Sequence, residues 1–360
     1  MKRTKQGNIE LISRLSNAFG PSGFEDEVVA IAKEELKNGT ERKEDSLRNL
    51  YIHSKRNTGN KPKVWLDAHS DEVGFIIQAI KPNGTLLFLP LGGWDPNNIP
   101  ASKLQIKNNH GNYISGIVAS KPVHFMNEQE RGQVNDISSM VIDVGAISKD
   151  DVINNYHIAI ANPIVPDVTC QYDQINQIFL GKAFDCRIGV ASLIETFNQI
   201  NDLSLHVDVV GTISVQEEVG ERGTQAAVQN IDADIAIIFE GCPADDTFQE
   251  EYLIQAGIKR GPNLRYFDRS MITNPRFMKY ALAIAEKYNI PTQVSVRSGG
   301  GTNAKYIHAS RYGVPTIVVG VPVRYIHSHY GYVAYQDYIE ATRLVVEILK
   351  DINEEVIKSF

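Results

Sequence analysis

The sequence predicts an α/β fold in which a mixed sheet is sandwiched by helices and a small all-β barrel is inserted into it. Three observations carry this expectation. Amphipathic helices and short buried-strand runs alternate over residues 1–72 and again over 180–360. Between them, residues 73–179 hold short β-prone runs split by turn signals, with little long helix. Several of the apolar strands in the alternating parts end on a histidine or a carboxylate.

Residues 9–19 place Leu11, Ile12, Leu15 and Phe19 on one helical face. Gly20-Pro21-Ser22-Gly23 breaks that helix, and a second amphipathic helix follows over 24–37. Its first turn carries Glu25, Asp26 and Glu27, where the helix dipole favours negative charge. Val64-Trp65-Leu66 is a buried-strand run that ends on Asp67-Ala68-His69. The texture then changes. Runs at 73–80, 85–89, 104–106 and 113–119 are separated by Pro-Asn-Gly, Gly-Gly and Asn-Asn-His-Gly turns. The polar segment 127–136 reads as a mobile loop and 148–155 as a short helix. Beyond 180, helices are expected at 185–200, 223–229, 275–288 and 335–350, and strands at 207–215, 235–239 and 316–319. The expected organisation is one domain from 1–72 plus 180–360, with 73–179 as the insert.

Length and composition exclude several classes. A chain of 360 residues, 42% hydrophobic and 22% charged, can bury a large core as one or two domains. A formal charge of −7 opposes a nucleic-acid partner, which needs a basic face. The basic start Met1-Lys2-Arg3-Thr4-Lys5-Gln6 has no apolar segment after it, so no secretory signal is expected. No apolar run reaches bilayer-spanning length. Cys170, Cys186 and Cys242 are odd in number and lack zinc-finger spacing, so no disulfide framework is expected. A cytoplasmic enzyme is the expectation.

The chemistry concentrates where strands run out. His69, Asp185, Glu218, Glu240 and His327 are donors of metal-ligand type, and Glu217 stands beside Glu218. Two imidazoles and three carboxylates suffice for two divalent cations sharing a bridging oxygen, which leaves Glu217 to handle a proton. Adjacent carboxylates after an apolar strand repel one another unless a cation or proton offsets them. That makes Val215-Gln216-Glu217-Glu218-Val219-Gly220 the strongest local signal. Asp71, two residues past His69, is placed to accept its other ring N–H. Asp185 opens a helix, where an N-cap is its commoner job, and bridging two cations is the functional alternative. Arg187 is placed to orient it or a neighbouring carboxylate. Oxygen- and nitrogen-rich ligation favours zinc, cobalt or manganese. Ser298-Gly299-Gly300-Gly301-Thr302-Asn303 lacks a Walker lysine and dinucleotide spacing, so it reads as a tight backbone approach to substrate. Cys242 has no histidine paired with it and is not expected to be a nucleophile.

These segments resemble a known family. D-A-H-S-D-E-V-G, A-F-D-C-R-I-G, Q-E-E-V-G-E-R-G, G-G-G-T-N-A and R-Y-I-H-S stand in the order and approximate spacing of the glutamyl and deblocking aminopeptidases, metallopeptidase family 42. Those tetrahedral dinuclear-metal enzymes were formerly also labelled cellulases. The resemblance spans nearly the whole chain, insert included. It implies a zinc-exopeptidase-like fold and a metallo-aminopeptidase acting on peptides with a free N-terminus. His69 and His327 would be terminal ligands on opposite metals, with Asp185 the bridge and Glu218 and Glu240 completing the sites. Glu217 would be the general base and Asp71 the partner of His69. The cofactor would be two divalent ions, zinc or cobalt, with manganese as the third candidate. The β insert would mediate dimerisation, and dimers would build a hollow dodecamer. No nucleic acid or membrane partner is implied.

Four departures from the family pattern bear on substrate preference. Cys186 stands where Asp or Asn is usual, Asn303 replaces an Asp, Glu240 holds a position often taken by Asp, and His329-Tyr330-Gly331 follows His327-Ser328. Those at Cys186, Asn303 and Gly331 motivate one rival, a degenerate member serving as an assembly protein. A glycosidase using Glu217 and Glu218 is the other rival. It is opposed by the pleat, which sends strand neighbours to opposite faces.

Overall fold

The computed structural model describes residues 3–128, 132 and 136–360. The N-terminal elements are α1 (Lys5–Asn17), α2 (Asp26–Glu35), β1 (Thr40–Glu44), β2 (Leu50–Ser54) and β3 (Lys63–His69). Next come β4 (Gly74–Ile80), β5 (Leu86–Leu91), β6 (Lys103–Lys107), β7 (Tyr113–Val118), β8 (Ile142–Asp143), α3 (Lys149–Asn154) and β9 (Pro163–Pro166). β10 (Gln171–Asp173) and β11 (Ile178–Gly181) lead into α4 (Phe184–Ile200), β12 (Asp208–Ser214), α5 (Arg222–Ala227) and β13 (Ile235–Ala244). The remainder is β14 (Asn263–Phe267), α6 (Pro275–Lys287), β15 (Gln293–Val296), α7 (Ala304–His308), β16 (Thr316–Arg324), β17 (Gly331–Ala334), α8 (Tyr335–Asp351) and α9 (Glu354–Lys358).

The fold is the mixed α/β sheet with an inserted barrel that the sequence predicts. An 11-stranded sheet runs β1-β2-β12-β3-β13-β16-β17-β11-β10, with β14 and β15 branching from β16. Its centre, β12-β3-β13-β16, is parallel. Parallel strands covered on both faces are apolar throughout, which is why these runs stand out in the sequence. Alternate residues feed two cores. Val64, Leu66, Ile235, Ile237 and Phe239 pack with α1, α4 and α8 on one face. Trp65, Ala236 and Ile238 pack with Ala304, Ile307 and Val318 on the other. α4 is buried along nearly its whole length, which suits a helix wedged between the sheet and α1 and α8. On α1, Leu11, Ile12 and Leu15 form the buried stripe, each such side chain contributing roughly 1.5–3 kcal/mol of burial free energy.

The insert closes as β4-β5-β8-β7-β6-β9, a barrel with no free edge. Its core is built on Phe75, which meets Phe88 edge-on at 5.0 Å and stacks on Trp94 at 4.7 Å. The large sheet takes the chain back at β10, Gln171, ahead of the position 180 where the alternating pattern resumes. β10 and β11 are short, antiparallel and half-exposed, the texture expected of barrel strands.

Other differences have similar causes. β1 is not evident in the sequence because Thr-Glu-Arg-Lys-Glu is a polar edge strand exposed at its middle three positions. Charge there blunts an open edge. β13 and β16 run past the expected ends at 239 and 319 because residues 240–244 and 320–324, interrupted by glycine and proline, continue the parallel ladder. In the segment 127–136, residues 129–131 and 133–135 lie outside the described residues.

Candidate metal centre

Three features of the sheet bring the strand-end donors together. Parallel β3, β12, β13 and β16 all point their carboxyl ends the same way. The β3–β12 register pairs His69 with Ser214, so the turn after β12 lifts Glu217 and Glu218 beside that histidine. The β3–β13 register pairs Asp67 with Ile238, which sets Glu240 level with His69 on the same pleat face. Asp185 enters from the start of α4. It can approach because Gly241 has no side chain, and a Cβ there would meet the Asp185 Cα at 2.8 Å. His327 arrives in the left-handed turn after β16, with φ of 55°.

All five expected donors face one cavity of about 800 Å³, together with Glu217. His69 Nε2 lies 3.1 Å from Asp185 Oδ1, 3.3 Å from Glu240 Oε1 and 3.9 Å from Glu217 Oε2. His327 Nε2 lies 3.5 Å from Asp185 Oδ2 and 3.2 Å from Glu218 Oε2. Asp185 thus turns one oxygen to each histidine. Glu218 Oε1 is buried and, among the described residues, has no hydrogen-bond partner. A buried carboxylate oxygen without a donor is costly unless a cation faces it. The donor set and this orphaned oxygen fit divalent cations.

Asp71 supports the cluster from behind. Its carboxylate faces His69 Nδ1 at 3.4 Å and accepts the backbone N–H groups of Glu217 at 2.9 Å and Glu218 at 3.1 Å. Ser22 Oγ donates to it at 2.6 Å. The Asp71 backbone carbonyl lies nearer still to His69 Nδ1, at 3.2 Å, so residue 71 sets the imidazole through both groups and the peptide carrying the two glutamates through its carboxylate. Deeper still, Glu72 accepts from Lys182 at 2.6 Å and from Arg187 at 3.2 Å. Arg187 also donates to the carbonyls of Leu15, Ala18, Gly20 and Ser70, so it ties α1 to the end of β3. Its carboxylate partner is Glu72 rather than Asp185.

Electrostatics report the same excess of negative charge. Burial would lower the His69 pKa, but the surrounding Cys186, Glu217, Glu240 and Asp185 raise it well above the usual value. His327 is pushed up to about 11, burial being outweighed by Glu218 and Asp185. Burial, only partly offset by His69, raises Glu240 to about 7. Glu217 stands well above the carboxylate range through burial, with Glu218, Glu240 and Asp71 adding repulsion that His69 relieves in part. The pocket holds protons tightly because its carboxylates crowd together, and cations satisfy the same demand.

Other singled-out residues have different jobs. Asn303 is buried below the strand ends, donating to Asp67 Oδ2 and Ser214 Oγ at 2.7 Å each. His329 packs on Trp94, ring centroids 5.1 Å apart. Gly299, Gly300 and Gly301 do line the cavity. Of the basic residues, Arg265 and Arg297 line it as well, whereas Lys305 pairs with Glu221 at 3.1 Å. Glu25 reads in the sequence as a helix-dipole partner, yet it accepts the Gln216 N–H at 3.1 Å beside Asp71. The sequence carries no signal for this contact, because acids at a helix start are ordinarily exposed.

Fold and donor cluster together define a class, the metal-dependent hydrolases of α/β architecture that gather cation ligands at the ends of a mixed sheet. Residues 49–344 match the family model described as M42 glutamyl aminopeptidase, and the chain belongs to that family of metal-dependent peptidases. It is 29% identical over 350 residues to the glutamyl aminopeptidase of Lactococcus lactis, covering 96% of each chain. The solved TET aminopeptidase from a marine sediment Thaumarchaeota archaeon is 36% identical with a TM-score of 0.93, over 98% of this chain and 99% of that one. The Pyrococcus horikoshii TET1 peptidase, which can assemble into a tetrahedron or a large octahedral shell, shares the fold at 24% identity and a TM-score of 0.86, over 96% of this chain and all (100%) of that one. Among the described residues no helix is long and apolar enough to cross a membrane.

Proposed function

We propose that this chain is an aminopeptidase that removes N-terminal residues from peptides. Its two divalent cations, zinc or cobalt, would be held by His69, Asp185, Glu218, Glu240 and His327. The observation that carries this reading is the divergence of the Asp185 oxygens, Oδ1 toward His69 and Oδ2 toward His327. A bridging carboxylate needs that arrangement. Bound cations supply Lewis acidity that lowers the pKa of water toward neutrality. Glu217, close to His69 but beyond direct hydrogen-bond range of it, takes the proton of the attacking water and returns it to the leaving amine. Asp71 keeps His69 in one tautomer and fixes the Glu217–Glu218 peptide.

Within this reading the N-terminal side chain of the substrate meets Arg265 and Arg297. Arg265 is paired with Asp268 at 2.9 Å, while the Arg297 guanidinium donates, among the described residues, to the Pro243 carbonyl, so Arg297 has charge to spare for an acidic residue. The glycosidase alternative is disfavoured because Glu217 and Glu218 bring oxygens within 4.8 Å of one another and of His69, closer than the roughly 5–10 Å that a sugar bond between two carboxylates needs. We place the enzyme in the cytoplasm, where its three free thiols stay reduced. Exposed Leu89, Tyr113 and Ile117 on the barrel support the barrel as the dimer surface, with larger assembly from dimers. Metal-loaded protein offered a panel of aminoacyl-p-nitroanilides and short peptides should cleave those with free amino termini and spare N-acetylated ones. No cleavage of any would leave the assembly-protein reading instead.

A further inference from the structure

The donors around His69 are not all oxygen and nitrogen. His69, Asp185, Cys186 and Glu240 each offer one ligand atom, and these four atoms lie within 4.8 Å of one another. Four tetrahedral donors with bonds of roughly 2.0–2.3 Å lie about 3.3–3.8 Å apart, so this spacing closes with side-chain shifts of about 1 Å. The sulfur is fully buried and hemmed in. Its S–H donates to the Phe239 carbonyl at 3.3 Å, one residue before Glu240, a hydrogen bond that ligation would replace. On the helix side, α4 leaves room for it only through Gly189, where a Cβ would run into the sulfur. Cys186 therefore has little freedom to swing away from the cluster. The other half of the site, Asp185, Glu218 and His327, offers oxygen and nitrogen alone.

We propose that the Cys186 sulfur is a ligand to the cation shared by His69, Asp185 and Glu240, and that it makes this half of the site select zinc over cobalt and manganese. The inference rests on the two-cation reading above. Thiolate is a soft donor and carboxylate a hard one, so one sulfur distinguishes two halves that are otherwise alike. On loading, the S–H bond breaks, a sulfur–metal bond forms and the proton leaves to solvent. An Asp or Asn at this position would offer only oxygen or an amide.

Protein loaded with cobalt(II) alone should bind two ions and show a sulfur-to-cobalt charge-transfer band in the near ultraviolet. Protein loaded with zinc alone should give an X-ray absorption spectrum with one sulfur at about 2.3 Å for every two zinc ions. Cys186→Asn should remove both signatures and reduce the zinc-over-cobalt preference about tenfold or more, while Cys242→Ser keeps them. Two bound ions with only oxygen and nitrogen neighbours, or a band that survives Cys186→Asn, would overturn the sulfur ligand and leave the two-cation reading standing. Failure to bind either ion would overturn both. Should Cys186→Asn not fold, the spectra of the unmodified protein decide by themselves.

Discussion

The Asp71 carboxylate accepts the backbone N–H of Glu217 at 2.9 Å, across 146 positions of sequence. The same group faces His69 Nδ1 at 3.4 Å, beside the Asp71 backbone carbonyl at 3.2 Å, so the imidazole and the glutamate peptide are set by one residue. Asp71→Asn keeps the shape but replaces one acceptor oxygen by a donor, against a backbone N–H that needs an acceptor. Cation affinity should fall about 10–100-fold, measured by competition with a chelator. Unchanged affinity would mean that Asp71 supports the loop alone.

Glu217→Gln separates cation binding from proton transfer. Gln preserves volume, and Glu217 is not counted among the five donors. Two cations should remain bound while kcat falls about 10²–10⁴-fold, the usual contribution of a general base. Exhaustive chelation of the unmodified protein should abolish turnover, and added zinc or cobalt should restore it. Loss of metal in Glu217→Gln would make this residue a ligand instead.

Most of the donor cluster was readable because its members sit at ends of apolar runs. An apolar strand announces itself, and its polar last residue follows. Convergence of His69 and Glu240 on one face then comes from register and pleat, both simple consequences of parallel pairing. The supporting contacts were not readable. Asp71 reaching Glu217, Arg187 reaching Glu72 and Asn303 reaching Asp67 join segments that only the finished fold brings together. Arg265 and Arg297 belong to β14 and to the turn after β15, whose pairing with the sheet no periodicity reveals. Polar edge strands such as β1 escape for a related reason, having no apolar alternation to display.

Arg297 supplies the substrate test. A charge-assisted hydrogen bond to a substrate carboxylate contributes about 1.5–3 kcal/mol. Arg297→Met should therefore lower kcat/KM for glutamyl and aspartyl substrates roughly 10–100-fold while leaving leucyl substrates near their original rate. An unchanged ratio between the two would remove Arg297 from side-chain recognition.

Acid sensitivity follows from Asp246. Its partial burial favours the neutral acid, but Arg324 outweighs this through hydrogen bonds at 2.9 and 2.6 Å and through its charge, so the pKa lies below the usual value. A depressed folded-state pKa means the pair stabilises the protein above the unfolded value, about 4, and loses that contribution as pH falls through the folded value. Asp246→Asn should cost roughly 1 kcal/mol at pH 7, a figure already discounted for solvent screening. The gap from the unmodified protein should close below about pH 4. Urea melts across that range would show it, and a gap that widens in acid would contradict the assignment.

Asn303→Asp tests how one departure from the family pattern is accommodated. The Asn303 amide donates to Asp67, a fully buried carboxylate that burial raises to about 6 and that Thr212, Asn303 and Ser214 hold partly ionised through hydrogen bonds. Aspartate at 303 removes that donor and brings a second carboxylate to about hydrogen-bond distance of the first. At neutral pH two buried anions so close cannot both ionise cheaply, and the pair must take up a proton. Stability should fall about 2–4 kcal/mol at pH 8, combining a lost charge-assisted hydrogen bond with the cost of protonating one partner. Because the folded variant binds that proton more tightly than the unfolded chain, the loss should shrink as the pH is lowered toward 5. A thermal melt series from pH 5 to 8 would show the variant approaching the unmodified protein at the acid end. A deficit that stays constant across the series would mean the two carboxylates do not share a proton.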